Sequence, residues 1–306
     1  MSYGLPYKGS KSRIAEKLVT HLPSREHFYD LFCGGGAMTH MAALTGRWGD
    51  YAINDINPQI PKFFMDCVTG EMNECRWVTR EEFKEYKGSD AYTALIFSFG
   101  NNLKTYLYDE DIEPLKRLFH LAITTGDYKE LKSMGLDLSS IDSLPTMRAK
   151  RIAAQNMTIG KEGFERLFTC ETLARVERAQ NLKRLQRPLN GTTTLSGNIG
   201  NAGKLAAFCM DYTEVPIKDN SLIYCDIPYI GTDGYTTTFD HERFYEWACS
   251  QKEDVFISSY EMPEDRFECI AEYALNVTFY KYANGRNAVE RLFIPRGQKH
   301  IKTTLF

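Results

Sequence analysis

The sequence has no Cys-x-x-Cys pair and no long apolar run. Its eight cysteines are scattered along 306 residues, which argues against a disulfide framework or a zinc site and indicates reduced thiols in a cytosol. No apolar run approaches the ~18 residues of a membrane helix. The N-terminal residues lack a charged start followed by an apolar core. We therefore expect a cytoplasmic protein with no membrane segment, no secretory signal and no bound metal.

An excess of positive charge is also absent. The net charge is −3, with 43% apolar and 25% charged residues, which is typical of a globular protein and unsuited to indiscriminate coating of nucleic acid. Charge is uneven, however: residues 148–187 hold ten Lys and Arg against four Asp and Glu, and residues 281–302 hold six against one. Residues 105–147 reverse the balance, with eight acids against four bases. Basic stripes suit a protein that grips a phosphate backbone on one face, although solvated helix faces give the same pattern.

One apolar run ends abruptly in polar residues. Residues 222–229 read Leu-Ile-Tyr-Cys-Asp-Ile-Pro-Tyr, and this content predicts a buried strand that stops at Asp226. Ligands bind at the carboxyl ends of strands in open α/β sheets, so the acid, the proline and the last ring are candidate functional residues. A strand followed by an ordinary turn explains the same residues, because Asp and Pro are common in turns.

The first part of the chain shows the strand–loop–helix order of a nucleotide site. A strand over 27–32 leads into Cys-Gly-Gly-Gly at 33–36 and a helix over 37–45. Glycines let a ligand approach the backbone at the positive end of the helix dipole. The next strand ends at Asp55, about 20 residues past the glycines, which suits an acid bound to ribose hydroxyls. Thr39 stands where a dinucleotide fingerprint needs its third glycine, so a nucleoside without a pyrophosphate fits better than a nicotinamide cofactor.

Helical patterns replace this alternation between residues 75 and 200. The later helices expected there cover 112–124, 128–134, 146–157 and 163–187. We expect residues 76–199 to form an inserted, mostly helical domain.

Sheet pattern returns after a glycine-rich loop over 191–203. Asn284-Gly285 predicts that the sheet finishes in an antiparallel hairpin formed by 276–283 and 288–295. The expected fold class is α/β, with a doubly wound Rossmann-like sheet and a terminal antiparallel hairpin in a catalytic domain of residues 1–75 and 200–306.

Two further stretches combine rings with polar groups. Tyr7 and Lys11 flank a small turn before the first expected helix, over 10–22, where they form either an N-terminal cap or a contact with a ligand. Residues 97–106 mix aromatic rings, amides and a lysine, a composition that contacts bases, although the phenylalanines are also typical of a core.

In this order, the motifs resemble the Dam-like (D12 class) N6-adenine-specific DNA methyltransferases. An aromatic and a lysine precede the glycine loop, an acid follows the second strand, and an acid–aromatic pair precedes a strand that ends in D-I-P-Y. The resemblance covers both sheet portions and is weak across residues 110–200. It implies the S-adenosylmethionine-dependent methyltransferase fold, S-adenosylmethionine as the cofactor, double-stranded DNA as the substrate, and a bacterial or phage origin.

Site residues follow by matching the family's motifs one by one. The resemblance implies cofactor contacts for Tyr7, Lys11, Asp30, Phe32, Gly34, Gly36, Asp55, Asp211 and Tyr212. It implies the catalytic D-P-P-Y motif at Asp226, Ile227, Pro228 and Tyr229. The family uses the backbone carbonyl of the second position, which isoleucine keeps, and Asp30 replaces the more usual glutamate. The target-reading stretch departs from the family at 106–108, so a GATC target does not follow.

The chemistry is methyl transfer to an adenine amine. Asp226 and the Ile227 carbonyl would accept the two N–H bonds of the amine, and the anionic acceptor makes the stronger bond. The amine lies inside a duplex, so the base must flip out, at a cost of a few kcal/mol. Tyr229 stacked on the flipped base can return about 1–3 kcal/mol. Charge and composition make Asn101, Lys104, Arg175 and Arg178 the candidate DNA contacts.

Other interpretations share some of these residues. The acceptor could be RNA, the chain could be a DNA-binding protein of this fold with weakened catalysis at Ile227, or a nicotinamide oxidoreductase could use the glycine loop. A restriction endonuclease is a candidate partner, and a monomer or weak dimer is the expected state. Methyl transfer to duplex DNA, denatured DNA and RNA distinguishes the two methyltransferase hypotheses.

Overall fold

A computed structural model describes residues 2–167, 169–230, 239–274 and 289–298 of the chain. The described strands are His27–Asp30 (β1), Asp50–Asn54 (β2), Gly200–Ala202 (β3), Leu205–Phe208 (β4), Ser221–Asp226 (β5), Asp254–Ser259 (β6), Phe267–Ala274 (β7) and Val289–Pro295 (β8). The described α-helices are Ala15–Val19 (α1), Ala37–Thr45 (α2), Gln59–Thr69 (α3), Arg80–Tyr86 (α4), Ala91–Ile96 (α5), Glu113–Thr125 (α6), Lys129–Ser133 (α7), Met147–Met157 (α8), Glu171–Gln180 (α9) and His241–Ser250 (α10). None of the described helices has both the length and the apolar character that crossing a membrane requires.

The chain divides into two compact units. Unit 1 contains Met1–Gly4, Gly9–Val68 and Arg184–Phe306, and unit 2 contains Leu5–Lys8 and Thr69–Lys183. The longer segment of unit 2 thus begins at Thr69 rather than residue 76 and ends at Lys183 rather than residue 199.

Unit 1 is built on one sheet of the eight described strands, in the order β3-β4-β2-β1-β5-β6-β8-β7. The five strands from β4 to β6 run parallel, and β3, β8 and β7 pair antiparallel at the two sides. The mixed α/β fold on a mostly parallel sheet confirms the α/β part of the predicted fold class. The chain passes from β1 to β2 on one side, whereas β5 lies on the other side of β1. The strand order therefore reverses at β1, which is where α/β sheets bind ligands.

Both faces of the central strand are covered. All four residues of β1 are buried. Tyr29 packs in a core with residues of β5, β6 and α10, including Ile223, Val255 and Phe244. Phe28 points to the opposite face, because side chains alternate along a strand, and its ring lies 5.1 Å from that of Trp48. A parallel sheet covered in this way holds its strand ends rigidly.

The antiparallel side of the sheet differs from the expected hairpin. β8 pairs with β6 and also with β7, and Tyr273 lies opposite Glu290. The strand expected over 276–283 and the turn at Asn284-Gly285 lie outside the described residues. On the side away from β6, β8 pairs with β7, which begins at Phe267 and ends at Ala274.

Two predicted helices have the wrong extent. The helix expected over 10–22 is a 3₁₀ turn at Lys11–Arg13 followed by α1. The helix expected over 163–187 is α9 alone, flanked by 3₁₀ turns at Glu165–Leu167 and Asn181–Gln186. In unit 2 the buried Lys116 ammonium donates to the Thr169 carbonyl at 2.6 Å, a tertiary contact that competes with helical hydrogen bonding there.

Candidate active site

The carboxyl ends of three neighbouring strands bring three acids to one edge of the sheet. Asp30 is the last residue of β1, Asp226 is the last residue of β5, and Asp55 directly follows β2. β1 pairs in parallel with both β2 and β5, so these ends share an edge. The acids predicted from separate motifs therefore lie at the point where the strand order reverses.

The glycine loop between β1 and α2 is held by Asp55. The Gly34 N–H donates to Asp55 Oδ2 at 3.0 Å, and the Asn57 N–H donates to Oδ1 at 2.9 Å. Burial raises the pKa of the Asp55 carboxyl to about 6, although these two backbone hydrogen bonds act against the rise. Asp55 thus fixes the loop and remains half-buried at the sheet edge.

Gly36 caps α2 in a conformation that other residues avoid. Its φ is +64°, and a Cβ added there would lie 2.3 Å from Cε2 of Phe64 on α3. Gly46, at the other end of α2, also has φ +64°, but a Cβ there meets nothing within 4 Å. Both glycines therefore adopt a backbone conformation that other residues avoid. At Gly36 alone there is also no space for a side chain.

This pair gives a matched test of the loop. Both alanine variants should lose about 1–2 kcal/mol to the left-handed conformation. Gly36→Ala should lose about 1–3 kcal/mol more than Gly46→Ala, because its new methyl group displaces the Phe64 ring. Urea unfolding of the two variants and the parent measures the difference. Equal losses would contradict the contact between the loop and Phe64.

Asp30 is a buried carboxyl with one occupied oxygen. Thr39 on α2 donates to Asp30 Oδ2 from its hydroxyl at 2.8 Å and from its N–H at 3.3 Å. Among the described residues, no hydrogen bond reaches Oδ1. Burial raises the pKa of Asp30 to about 7; the Thr39 hydroxyl opposes this shift and the charge of Asp226 adds to it. Thr39, the residue in place of a fingerprint glycine, thus orients the Asp30 carboxyl.

Asp226 is bound by Lys11. The Lys11 ammonium is 5% exposed and donates to Asp226 Oδ1, whereas the Asp226 side chain is 22% exposed. Burial opposes the charge on Lys11, but the charges of Asp226 and Glu290 outweigh it and raise the pKa of the ammonium. Burial raises the pKa of Asp226 to about 6, with Lys11 lowering it and Glu290 raising it. Lys11, predicted as a cofactor contact, therefore lies directly on the predicted catalytic acid.

Tyr229 belongs to the same cluster. Lys11 Nζ donates to the Tyr229 hydroxyl at 2.6 Å, and that hydroxyl donates to Glu290 Oε2 at 2.9 Å. Tyr260, which follows β6, stacks on the Tyr229 ring with centroids 4.1 Å apart. These contacts fix the ring, and Tyr260 covers one of its faces.

The middle of the D-I-P-Y motif is held by the core. The Ile227 side chain is 1% exposed and packs in the core beneath the sheet edge, so only its main chain remains for a ligand. His241, at the start of α10, donates from Nε2 to the Pro228 carbonyl at 2.9 Å. The motif is therefore anchored at Ile227 and at Pro228.

The acid–aromatic pair packs beside the end of β1. The Phe32 and Tyr212 rings lie 5.2 Å apart, and the Tyr212 hydroxyl is buried with no hydrogen-bond partner among the described residues. Arg243 on α10 donates from both Nη atoms to the Asp211 carboxylate, at 2.9 and 3.0 Å. Burial would raise the pKa of Asp211, but Arg243 and Thr213 outweigh it and lower the pKa.

Comparison with known families decides the identity of this arrangement. The model of the D12 class N6 adenine-specific DNA methyltransferase family matches residues 7–260. The chain belongs to this family. Comparison with curated proteins gave no match.

The predicted DNA contacts of this D12-class methyltransferase lie in unit 2, as does Tyr7. Lys104 is exposed, whereas the Asn101 amide donates to the Leu95 carbonyl at 3.1 Å. Arg175 Nη1 donates to the Ile96 and Ser98 carbonyls, both at 2.8 Å, so it supports the loop over 98–106. Burial lowers the pKa of the half-buried Arg178. Contacts of these residues with DNA, and of Tyr7 with the cofactor, stay predictions.

Five residues of this methyltransferase's candidate site were missed by sequence reasoning: Asn54, His241, Arg243, Tyr260 and Glu290. Asn54 Nδ2 donates to the Leu31 and Met210 carbonyls, each at 3.1 Å, which fixes the segment that precedes Asp211. Glu290 carried a readable signal, because it shares one face of β8 with Leu292 and Ile294 and an acid on an apolar face needs a partner.

Proposed function

We propose that this chain transfers a methyl group from S-adenosylmethionine to the N6 amine of an adenine flipped out of double-stranded DNA. The observation that carries the proposal is the Asp226 carboxylate at the end of β5. Lys11 occupies Oδ1, and no described residue donates a hydrogen bond to Oδ2. An anionic acceptor with one open oxygen, followed by a main-chain carbonyl and a ring, suits an exocyclic amine with two N–H bonds.

The residues present fit S-adenosylmethionine. Asp30 Oδ1 is an open acceptor suited to the ammonium of the methionine part. Asp55, at the end of β2, suits the ribose hydroxyls. The buried Tyr212 hydroxyl lacks a partner among the described residues and offers a hydrogen-bond donor. When bound, S-adenosylmethionine supplies an electrophilic methyl group, and it has no pyrophosphate that would need a third glycine.

The chain's own groups would prepare the adenine amine. Its nitrogen is a poor nucleophile, because its lone pair is delocalised into the ring. Asp226 Oδ2 accepts one N–H and the Ile227 carbonyl accepts the other, which favours a tetrahedral nitrogen with a localised lone pair. The nitrogen must lose one proton on methylation, and Asp226 Oδ2 is the anionic acceptor at that position. Holding the nitrogen in this orientation supplies the proximity contribution.

The adenine must leave the duplex to reach Asp226. Flipping costs a few kcal/mol. Stacking of the flipped base on the Tyr229 ring would return about 1–3 kcal/mol. Lys11 and Glu290 hold the Tyr229 hydroxyl, so the ring needs no reorganisation to receive the base.

Unit 2 is proposed to read the target. The basic segment over 148–187, which lies in unit 2 as far as Lys183, suits contacts with the phosphate backbone, and the exposed Lys104 is the clearest candidate in unit 2. A restriction endonuclease as partner, a monomeric or weakly dimeric state and a bacterial or phage origin remain part of the same proposal.

The acceptor decides between the two methyltransferase hypotheses. Methyl-labelled S-adenosylmethionine should label duplex DNA more than an RNA of matched sequence. The adenine amine is chemically the same in both, so the difference reports recognition of the duplex rather than reactivity. Denatured DNA of the same sequence is the control for base flipping. Label on RNA and none on either form of DNA would replace the DNA assignment with an RNA one.

A further inference from the structure

Glu290 is a buried acid beyond the residues that the family model matches. It lies on β8, whereas the match ends at residue 260. Its side chain is 1% exposed. Burying a carboxylate this fully is costly unless it is paired or hydrogen-bonded, so its partners indicate what it does.

Its partners are Lys11, which donates a hydrogen bond to Asp226, and Tyr229, which follows Asp226 in the sequence. Glu290 Oε2 accepts the Tyr229 hydroxyl at 2.9 Å, and Glu290 Oε1 lies 3.7 Å from Lys11 Nζ. Oε1 is buried and has no hydrogen-bond partner among the described residues. The Glu290 carboxylate thus contacts both the Lys11 ammonium, which is bound to Asp226, and the Tyr229 hydroxyl.

The arrangement divides one cation between two acids. Lys11 donates to Asp226 and to the Tyr229 hydroxyl, and it is the cation that lies between Asp226 and Glu290. Without Glu290, the ammonium would neutralise Asp226 alone and weaken it as an acceptor for the adenine amine. Without Glu290, the Tyr229 hydroxyl would also lose the acceptor that fixes its ring.

We propose that Glu290 is a positioning residue of the methyl-transfer site, acting through Lys11 and Tyr229. It shares the Lys11 ammonium with Asp226, so that Asp226 keeps its strength as an acceptor, and it orients the Tyr229 ring against Tyr260. The inference rests on the proposed methyl transfer and adds a residue from the antiparallel side of the sheet to it.

A pH profile tests this role, because an ionised Asp226 accepts an N–H bond more strongly than a protonated one. Among the described residues, the titratable groups that interact electrostatically with Asp226 are Lys11 before α1, Asp30 on β1, Tyr224 and Cys225 on β5, Tyr229 after β5 and Glu290 on β8. Glu290→Gln keeps the size of the side chain and removes its charge. The charge of Glu290 raises the pKa of Asp226, so its loss should move the acidic limb of kcat to lower pH.

The expected result is a split between catalysis and binding. Glu290→Gln should lower kcat about 10- to 100-fold through misplacement of the acceptor and the ring. The affinity for S-adenosylmethionine, measured by calorimetry, should stay at the parental value. Glu290→Asp, which keeps the charge, should retain the parental acidic limb. Glu272→Gln on β7, whose carboxylate pairs with Arg291 at the surface, is the matched control and should leave kcat and the pH profile unchanged.

The outcomes separate this inference from the proposed function. A parent that methylates no DNA overturns the proposed function. An active parent whose Glu290→Gln variant keeps both kcat and the acidic limb overturns the role of Glu290 alone. A fall in kcat and melting temperature with an unmoved acidic limb also overturns it, because Glu290 would then only support the fold.

Discussion

Asp226→Asn should lower kcat for methyl transfer about 100- to 1,000-fold, the loss typical of removing one charge-stabilising group from a reaction site. The amide has nearly the shape of the carboxylate, but it lacks the negative charge and can present an N–H where the adenine amine needs an acceptor. The substitution also leaves the Glu290 carboxylate as the only one of the two anions beside the Lys11 ammonium. Single-turnover incorporation of labelled methyl groups into duplex DNA measures the effect without interference from product release.

Asp219→Asn is the control for this variant. Asp219 is an exposed acid that lies shortly before β5 in unit 1, so its replacement should leave kcat unchanged. Circular dichroism and S-adenosylmethionine affinity should match the parent in both variants. Near-parental turnover by Asp226→Asn would mean that another group accepts the adenine amine.

Lys11→Met should cost the folded protein about 3–5 kcal/mol at pH 8, because it leaves Asp226 and Glu290 buried without their shared cation. The Asp226 side chain is 22% exposed and that of Glu290 1% exposed, so solvent screens Glu290 least. Urea unfolding of parent and variant measures the loss. Lys17→Met, an exposed lysine on α1, is the control and should be nearly neutral.

The pH dependence of this loss has a fixed sign. Lys11 lowers the pKa of Asp226, so its removal lifts that pKa further above the ordinary value. The folded variant then binds protons more tightly than the unfolded chain, and its stability rises as pH falls from 8 to 6. The double variant Lys11→Met/Glu290→Gln should recover part of the loss at pH 8. A loss independent of pH and of Glu290 would show that Lys11 acts through packing alone.

The sequence was sufficient to predict the ends of two central strands. β2 and β5 are short apolar runs that end at Asn54-Asp55 and at Asp226, and buried parallel strands carry this pattern. β1 ends at Asp30, two residues before the end that the sequence predicts. The glycines that follow β1 were equally readable, since Gly36 sits at a positive φ that a strand-to-helix turn needs. These features are local, so periodicity and turn chemistry are enough to find them.

The contacts within the site could not be predicted in the same way. Lys11 and Asp226 are separated by 215 residues, and their contact depends on how the 3₁₀ turn meets the end of β5. Glu290 reaches the cluster only because β8 lies between β6 and β7, a strand order that composition does not specify. The strand β4, which lies between β3 and β2, was also missed, because Leu-Ala-Ala-Phe contains no β-branched residue.

The most direct test of the account is to identify the methylated nucleoside itself. Duplex DNA is incubated with the protein and S-adenosylmethionine, digested to nucleosides and analysed by mass spectrometry. The account predicts N6-methyl-2′-deoxyadenosine with the parent. It predicts that Asp226→Asn yields this nucleoside in an amount at least about 100-fold smaller. A methyl group on cytosine, or DNA from the parent that carries no methylated adenine, would contradict it.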